Sequence, residues 1–346
     1  MAVSLGPEPL PRITLSRDFG ANAVRDARRA GLVRVSHGAF VEPLAEASTW
    51  AEAEHLARAR IAATAHRLTG SAVLSHESAA LVHGLWLLRA PDQVHVTQEY
   101  RPRRQSVALT RHAGSLPAED VTEVDGRAVT SVERTIVDCA KALHPRDALV
   151  VADSGMRLLL QPRRDRRDAV SGPAETLRAG LLALVEHGAR HGRVQARAVL
   201  AHADPFSESP YETVIRWIAV SRGLPPPVLQ RRFDLRGHTY YTDLCWRFDL
   251  DVAGARFLLQ LLGEYDGEVK YAARTAVTAA TAKAISDVVV AEKRREDDLR
   301  SLPHTTMVRF DKKDASREEA TFRRLCASLP TAYVSTLRPV PALLGR

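Results

Sequence analysis

Leu244, Trp246, Phe248, Leu250 and Val252 alternate without a break with Asp243, Cys245, Arg247, Asp249 and Asp251. Residues two apart in a strand share a face, so the stretch from Tyr240 to Val252 predicts a strand with one apolar and one polar side. A helix would spread these apolar side chains around its circumference, so the pattern commits this part of the chain to a sheet. The apolar run from Phe257 to Leu262 supplies a neighbouring strand, closed by Gly263-Glu-Tyr-Asp-Gly. Glu264 and Asp266 are two apart and project together, and Asp243 joins them from the adjacent strand. Clustered carboxylates suit a hard cation such as Mg²⁺, which can activate water and neutralise charge at a phosphodiester. Asp243, Glu264 and Asp266 are therefore the candidate metal ligands. Solvated acids at a sheet edge are the alternative reading.

The flanking residues predict the rest of this module. Ser209-Pro-Tyr-Glu places Ser at the cap, Pro at the first helical position and Glu at the third, opening a helix that runs to Arg222. Glu212 has two readings, a capping carboxylate or an acid facing the metal. Leu229 to Leu235 forms a hairpin with Tyr240 to Val252 across Arg236-Gly237. A charged helix from Lys283 to Leu302, a strand at Val308-Arg-Phe and a closing helix from Ser316 to Leu329 follow. Nucleases built on Asp and Glu-x-Lys use the lysine to position water or stabilise developing charge. Here Asp266 stands at that place, which leaves Lys270 and Lys293 as the candidate substitutes. The bland alternative for Lys293 is a solvated helix face.

At the other end, Ile13 to Val41 predicts a short helix, a break at Gly20, a second helix from Asn22 to Ala30, and two strands turning at His37-Gly38. That is a small winged helix-turn-helix. Arg25, Arg28 and Arg29 share one helix face, and Arg34 and His37 lie on the wing, so these five are the candidate DNA contacts. Helical periods over 49–69 and from Ser75 to Val82, strands near Val94 and Thr110, and a helix through Ala142 with Thr130 and Glu133 at capping-box spacing predict a central mixed α/β module. The histidines show no ligand spacing.

At 346 residues the chain exceeds one ordinary core of roughly 100 to 200 residues. The reading is α/β and α+β multidomain: a winged helix over 1–45, an α/β domain over 46–160, a polar, Arg-rich linker and helical bridge over 161–204, and a mixed sheet flanked by helices over 205–346. A net charge of +8, carried mainly by arginine, suits phosphate recognition. Cys139, Cys245 and Cys326 are far apart and odd in number, which argues against a disulfide framework and structural zinc and fits a reducing cytoplasm. No leader and no membrane-length apolar segment is expected.

Three segments resemble a family: Arg28-Arg-Ala-Gly-Leu-Val-Arg-Val-Ser-His-Gly-Ala-Phe, Leu74-Ser-His-Glu-Ser-Ala-Ala-Leu-Val-His-Gly and Ser131-Val-Glu-Arg-Thr-Ile-Val-Asp. Through about residue 160 the chain is similar to the AbiEi antitoxins of type IV toxin-antitoxin systems, in an arrangement of actinobacterial type. That resemblance implies promoter binding through the winged helix and a toxin partner. From Ser209 onward, Ser209-Pro-Tyr-Glu, Thr242-Asp-Leu, Gly263-Glu-Tyr-Asp-Gly-Glu-Val-Lys-Tyr and Glu292-Lys-Arg-Arg-Glu-Asp-Asp-Leu-Arg resemble a domain related to very-short-patch-repair endonucleases of the PD-(D/E)XK superfamily. The chain departs from that pattern at Asp266 and in the long Arg247 to Arg256 stretch.

Two functional expectations follow. The first is a DNA-binding protein with an Mg²⁺-dependent, endonuclease-like C-terminal domain acting on double-stranded DNA, with Glu212, Asp243, Glu264, Asp266, Lys270 and Lys293 as its catalytic candidates. The second is a non-catalytic repressor or antitoxin of a toxin-antitoxin or phage-defence system that uses a degenerate nuclease fold to bind.

Overall fold

A computed structural model describes residues 5–19, 22–65, 72–100, 108–252, 255–266 and 279–345. The chain divides into two compact units, one gathering residues 4–160 and 174–203, the other 161–173 and 204–346. Both mix helices with sheet, so the multidomain α/β class is what the structure has at the coarse level.

In the first unit, β1 (Thr14–Leu15), α1 (Ala23–Arg29), β2 (Val33–Ser36) and β3 (Ala39–Val41) form a small antiparallel sheet, ordered β1-β3-β2, with a helix beside it. The expected first helix is absent. Its residues form β1 and a single 3-10 turn, Ser16–Asp18, because Thr14 and Leu15 pair with Phe40 and Ala39. Gly38 takes φ +65° at the β2–β3 turn, a conformation glycine adopts without a Cβ clash.

Next come α2 (Thr49–Ala65), β4 (Val73–Leu74), α3 (His76–Val82), β5 (Val94–Gln98), β6 (Leu109–Ala113), β7 (Val121–Val124) and β8 (Arg127–Thr130). Their five-stranded sheet is ordered β6-β5-β4-β8-β7, with parallel and antiparallel pairs. Helices α4 (Val132–Ala142), α5 (Pro145–Leu160), α6 (Arg167–Glu186) and α7 (Arg193–His202) follow. Ile61, Leu74, Leu81, Val94, Val96, Val129 and Val151 share one apolar core. The cap of α4 is Ser131, which accepts a hydrogen bond from Arg134 N at 3.1 Å. Thr130, one residue earlier, is still in β8 and spends its hydroxyl on Thr135 inside the core.

An N-terminal strap precedes β1. Arg58 donates to the carbonyls of Leu81, Glu8 and Pro9, and Leu10 packs on the core. Gly84 lies against Gly6, and a Cβ there would collide with the Gly6 carbonyl.

In the second unit, residues 161–173 pack with the C-terminal sheet. Arg164 pairs with Glu208, while Arg167 lies 4.2 Å from the Phe206 ring and donates to Leu229 O. Helix α6 starts here at Arg167 and continues through Pro173. The sheet comprises β9 (Val228–Leu235), β10 (His238–Val252), β11 (Ala255–Tyr265) and β12 (Thr305–Phe310), ordered β12-β11-β10-β9, with β12 parallel to β11 and the other pairs antiparallel. Arg236 and Gly237 both take positive φ, the pattern of a tight two-residue hairpin. From Trp246 onward along β10 the alternation holds: Trp246, Phe248 and Leu250 are buried with Leu244, while Arg247, Asp249 and Asp251 are exposed; Cys245, expected on the polar face, is buried.

Helices α8 (Pro210–Ser221), α9 (Ala279–Arg300), α10 (Lys312–Ser316), α11 (Glu318–Cys326) and α12 (Thr331–Val334) complete the unit. α8 packs on β10 and β11, and Leu299 of α9 joins Phe233, Cys245 and Leu262 in a core on the sheet. The expected closing helix is broken at Arg317, whose ψ of 59° is not helical. Among the described residues, no helix is long and apolar enough to cross a membrane.

Candidate functional site

Glu212 owes its position to the start of α8. Ser209 caps the helix by accepting from Glu212 N at 3.2 Å, and its hydroxyl donates to Glu212 Oε1 at 3.0 Å. Glu212 Oε2 accepts from Glu208 N at 2.9 Å, so the carboxylate is folded back over the helix start. It is buried beside Asp243. Burial first, and the Asp243 charge second, push its carboxyl up to about 8.

Asp243 comes from β10. The register Thr242↔Arg231 and Leu244↔Leu229 sets Gln230 opposite it, and Leu244↔Gly263 sets Glu264 opposite it on the other side. Its Oδ1 accepts from Gln230 Nε2 at 3.3 Å and its Oδ2 from Tyr265 N at 2.9 Å. Gly263 allows this close packing of strands: a Cβ there would press on Leu244 and Trp246. Gln230 Nε2 also lies 3.5 Å from Glu212 Oε2. Tyr211 and Tyr265 stack beside these acids with ring centroids 5.3 Å apart.

Glu264 and Asp266 meet arginines. Arg295 of α9 donates to Glu264 Oε1 at 2.6 Å and to Tyr241 O at 2.7 Å. Arg309 of β12 donates to Asp266 Oδ2 at 3.2 Å, and also to Glu292 and Glu296. The structure thus brings Glu212 and Asp243 together through one amide, sets Glu264 beside them on Arg295, and turns Asp266 to Arg309. Among the described residues, no group of three or more His, Cys, Asp or Glu side chains has metal-holding geometry. The oxygen donors of Glu212, Asp243 and the Gln230 amide are nonetheless the type that Mg²⁺ or Mn²⁺ accepts.

Lys270 lies outside the described residues. Lys293 is exposed on α9. Among the described residues, Arg295 and Arg309, which sequence reasoning passed over, bond Glu264 and Asp266. A signal for Arg295 was available: it lies four residues before Leu299, the apolar residue that marks the inward face of α9, whereas Lys293 is six residues away and falls off that face.

In the first unit, Ala27 of α1 is buried, and Arg25, Arg28 and Arg29 are all exposed. Arg34 and His37 are exposed at the hairpin tip, 3.3 Å apart between Nη2 and Nδ1. The five candidate DNA contacts therefore lie on solvent-facing positions of α1 and the β2–β3 hairpin.

A second cluster, invisible in sequence spacing, joins His76, His95 and His112. The His76 and His112 rings stack at 3.6 Å, and His95 Nδ1 lies 3.1 Å from His112 Nε2. His95 Nε2 is 3.5 Å from Glu77 Oε2. Burial, then His112, lowers His95 to about 4, and burial, then its histidine neighbours, pushes His76 well below the usual range. His76 also takes φ +52°, an uncommon backbone for a residue with a side chain.

No family model matches the chain. Two uncharacterized proteins of Mycobacterium tuberculosis, from strains H37Rv and CDC 1551, are each 27% identical to it over 222 residues. The matched region covers 63% of this chain and 71% of each relative.

Proposed function

We propose that this protein binds double-stranded DNA through α1 and the β2–β3 wing and carries a metal-dependent, endonuclease-like site on the β9–β12 sheet. On this reading the first unit is AbiEi-like and the second is of the PD-(D/E)XK kind. The observation that carries it is the convergence on Asp243 of Glu212 from α8 and Glu264 from β11. Glu212 is buried and its carboxyl is held above the ordinary range by that burial and by Asp243, as is common where a protein holds acids together for chemistry.

A bound Mg²⁺ would supply water activation and charge neutralisation at a phosphodiester. The chain's own residues divide the remaining work. Tyr265 N and Gln230 orient Asp243. Ser209 and Glu208 N orient Glu212, which can hold or release a proton near neutral pH. On this reading Arg295, paired with Glu264, is the cation that would answer developing negative charge, since position 266 holds an aspartate and not a lysine. The test is nicking of supercoiled plasmid by the full chain. Mg²⁺-dependent nicking should be lost in Asp243→Ala and Glu264→Ala, and nicking that persists in both removes the proposed site.

One observation favours a second reading. Arg295 and Arg309 already neutralise Glu264 and Asp266, as in a fold kept for binding rather than turnover. The protein would then be a repressor or antitoxin that binds the DNA upstream of its own gene, with a toxin as partner. Salt-sensitive binding to that DNA without any cleavage supports this reading, and binding unaffected by Arg25 and Arg28 replacement counts against it.

A further inference from the structure

We infer that the cation ligands of the second unit are Glu212, Asp243 and Gln230, with Gln230 giving its side-chain carbonyl oxygen, and that Glu264 stays with Arg295 outside that set. The inference rests on the metal-dependent reading above for the class of ligand, a hard divalent cation.

Gln230 is the anomaly that points there. It sits in the middle of β9, yet its φ is +45°, in the left-handed region that a residue with a side chain rarely adopts. Only 3% of it is exposed. Its Nε2 reaches both acids, at 3.3 Å from Asp243 Oδ1 and 3.5 Å from Glu212 Oε2. Its Oε1, equally buried, receives no hydrogen bond from any described residue. A strained backbone and an orphaned acceptor are both costly, and they coincide on the one side chain that lies between two carboxyl groups.

A primary amide has two ends of opposite polarity and nearly equal size. Two acids without a cation attract its N–H groups, which is the orientation seen. A cation between the acids reverses the local field, and a half-turn about the last side-chain bond then presents Oε1. The same rotation removes the orphaned acceptor, because Oε1 gains a partner. Hard divalent cations accept Gln carbonyls alongside carboxylates. On the opposite side of Asp243, the Arg295 guanidinium at 2.6 Å from Glu264 Oε1 repels a second positive charge. Arg164, paired with Glu208, also brings positive charge within reach of Asp243 and Glu212, so what favours the α8–β9 side of Asp243 is the orphaned Gln230 oxygen there.

The test uses the full chain and Mn²⁺ as the probe, with binding followed by the loss of the free Mn²⁺ electron paramagnetic resonance signal. Wild type should bind one Mn²⁺. Gln230→Met keeps the side-chain length but removes the oxygen, and should weaken binding at least tenfold. Gln230→Glu keeps an oxygen at the same reach and should restore or exceed wild-type affinity, which separates ligation from a folding defect. Wild-type affinity in Gln230→Met, equal losses in both variants, or no Mn²⁺ uptake by wild type would each overturn the inference. Its fate is separate from that of the catalytic reading. Mn²⁺ binding that follows this pattern without any nicking leaves the ligand set standing and ends the nuclease proposal. Nicking that needs Asp243 while Gln230→Met binds normally does the reverse.

Discussion

Arg295 Nη2 lies 2.6 Å from Glu264 Oε1, an ion pair that fastens α9 to the end of β11. Glu264 is 5% exposed, so removing Arg295 takes a charge-assisted bond away from a buried carboxylate. Arg295→Ala should therefore destabilise the protein by about 3 kcal/mol. Urea unfolding measures this directly. A loss below about 1 kcal/mol would mean the pair behaves as a solvent-screened surface contact.

Stability in the absence of divalent ions should depend on Glu212. Its carboxyl is raised from the ordinary value of 4.5 to about 8 by burial and by Asp243, with Glu208 adding to it and the bonds from Glu208 N and Ser209 opposing it. The folded state then binds a proton that the unfolded chain gives up, so this contribution is full below pH 4.5 and is lost as pH rises through about 8. In EDTA, the urea midpoint of wild type should fall over this window relative to that of Glu212→Gln. Parallel curves would remove the assignment.

The histidine cluster should act in the opposite direction. His95 is lowered from 6.5 to about 4 by burial and by His112. The unfolded chain takes up the proton first, so its contribution to stability is present above pH 6.5 and is lost as pH falls towards 4. His76, His112, Glu77 and Arg134 are the titratable neighbours. Hydrogen exchange at β5 should accelerate across that window in wild type and respond less in His95→Gln.

The strap gives a steric prediction. Gly84 has φ +69° and faces the Gly6 carbonyl, so Gly84→Ala combines an unfavourable backbone with a clash. A cost of about 1–3 kcal/mol is expected. Limited proteolysis should cut residues 5–11 faster in the variant, and unchanged protection there would show that the strap tolerates a methyl group.

The proposed DNA binding by α1 and the β2–β3 hairpin can be tested through salt. Replacing Arg25, Arg28 and Arg29 together with alanine should lower the dependence of log K on log salt by about 0.9 for each phosphate that the protein no longer neutralises. An unchanged slope would place the phosphate-binding groups elsewhere.

Period-two patterning made β10 readable to within two residues at its start, and the Ser209 cap made α8 readable, because both are local signals. The hairpin at Gly38 was legible for the same reason. Non-local relations were hidden. Thr14 and Leu15 become a strand only because Phe40 and Ala39 pair with them, which overrides a weak helical preference. Gln230 carries no sequence mark of its left-handed backbone. His76, His95 and His112 meet through the β5–β6 pairing and the start of α3, so no spacing along the chain announces them. At the acids, parity brought out Asp243 and Glu264 but could not assign the arginines that answer them.

The strap that grips Gly84 enters before the wing, and α2 leaves after it; Leu10 and Ile61 seat both in the same apolar interior. The wing is thus a loop closed at both ends, not a flag on a tether. On the proposed reading, a bound duplex would pull on two moorings that share one apolar interior.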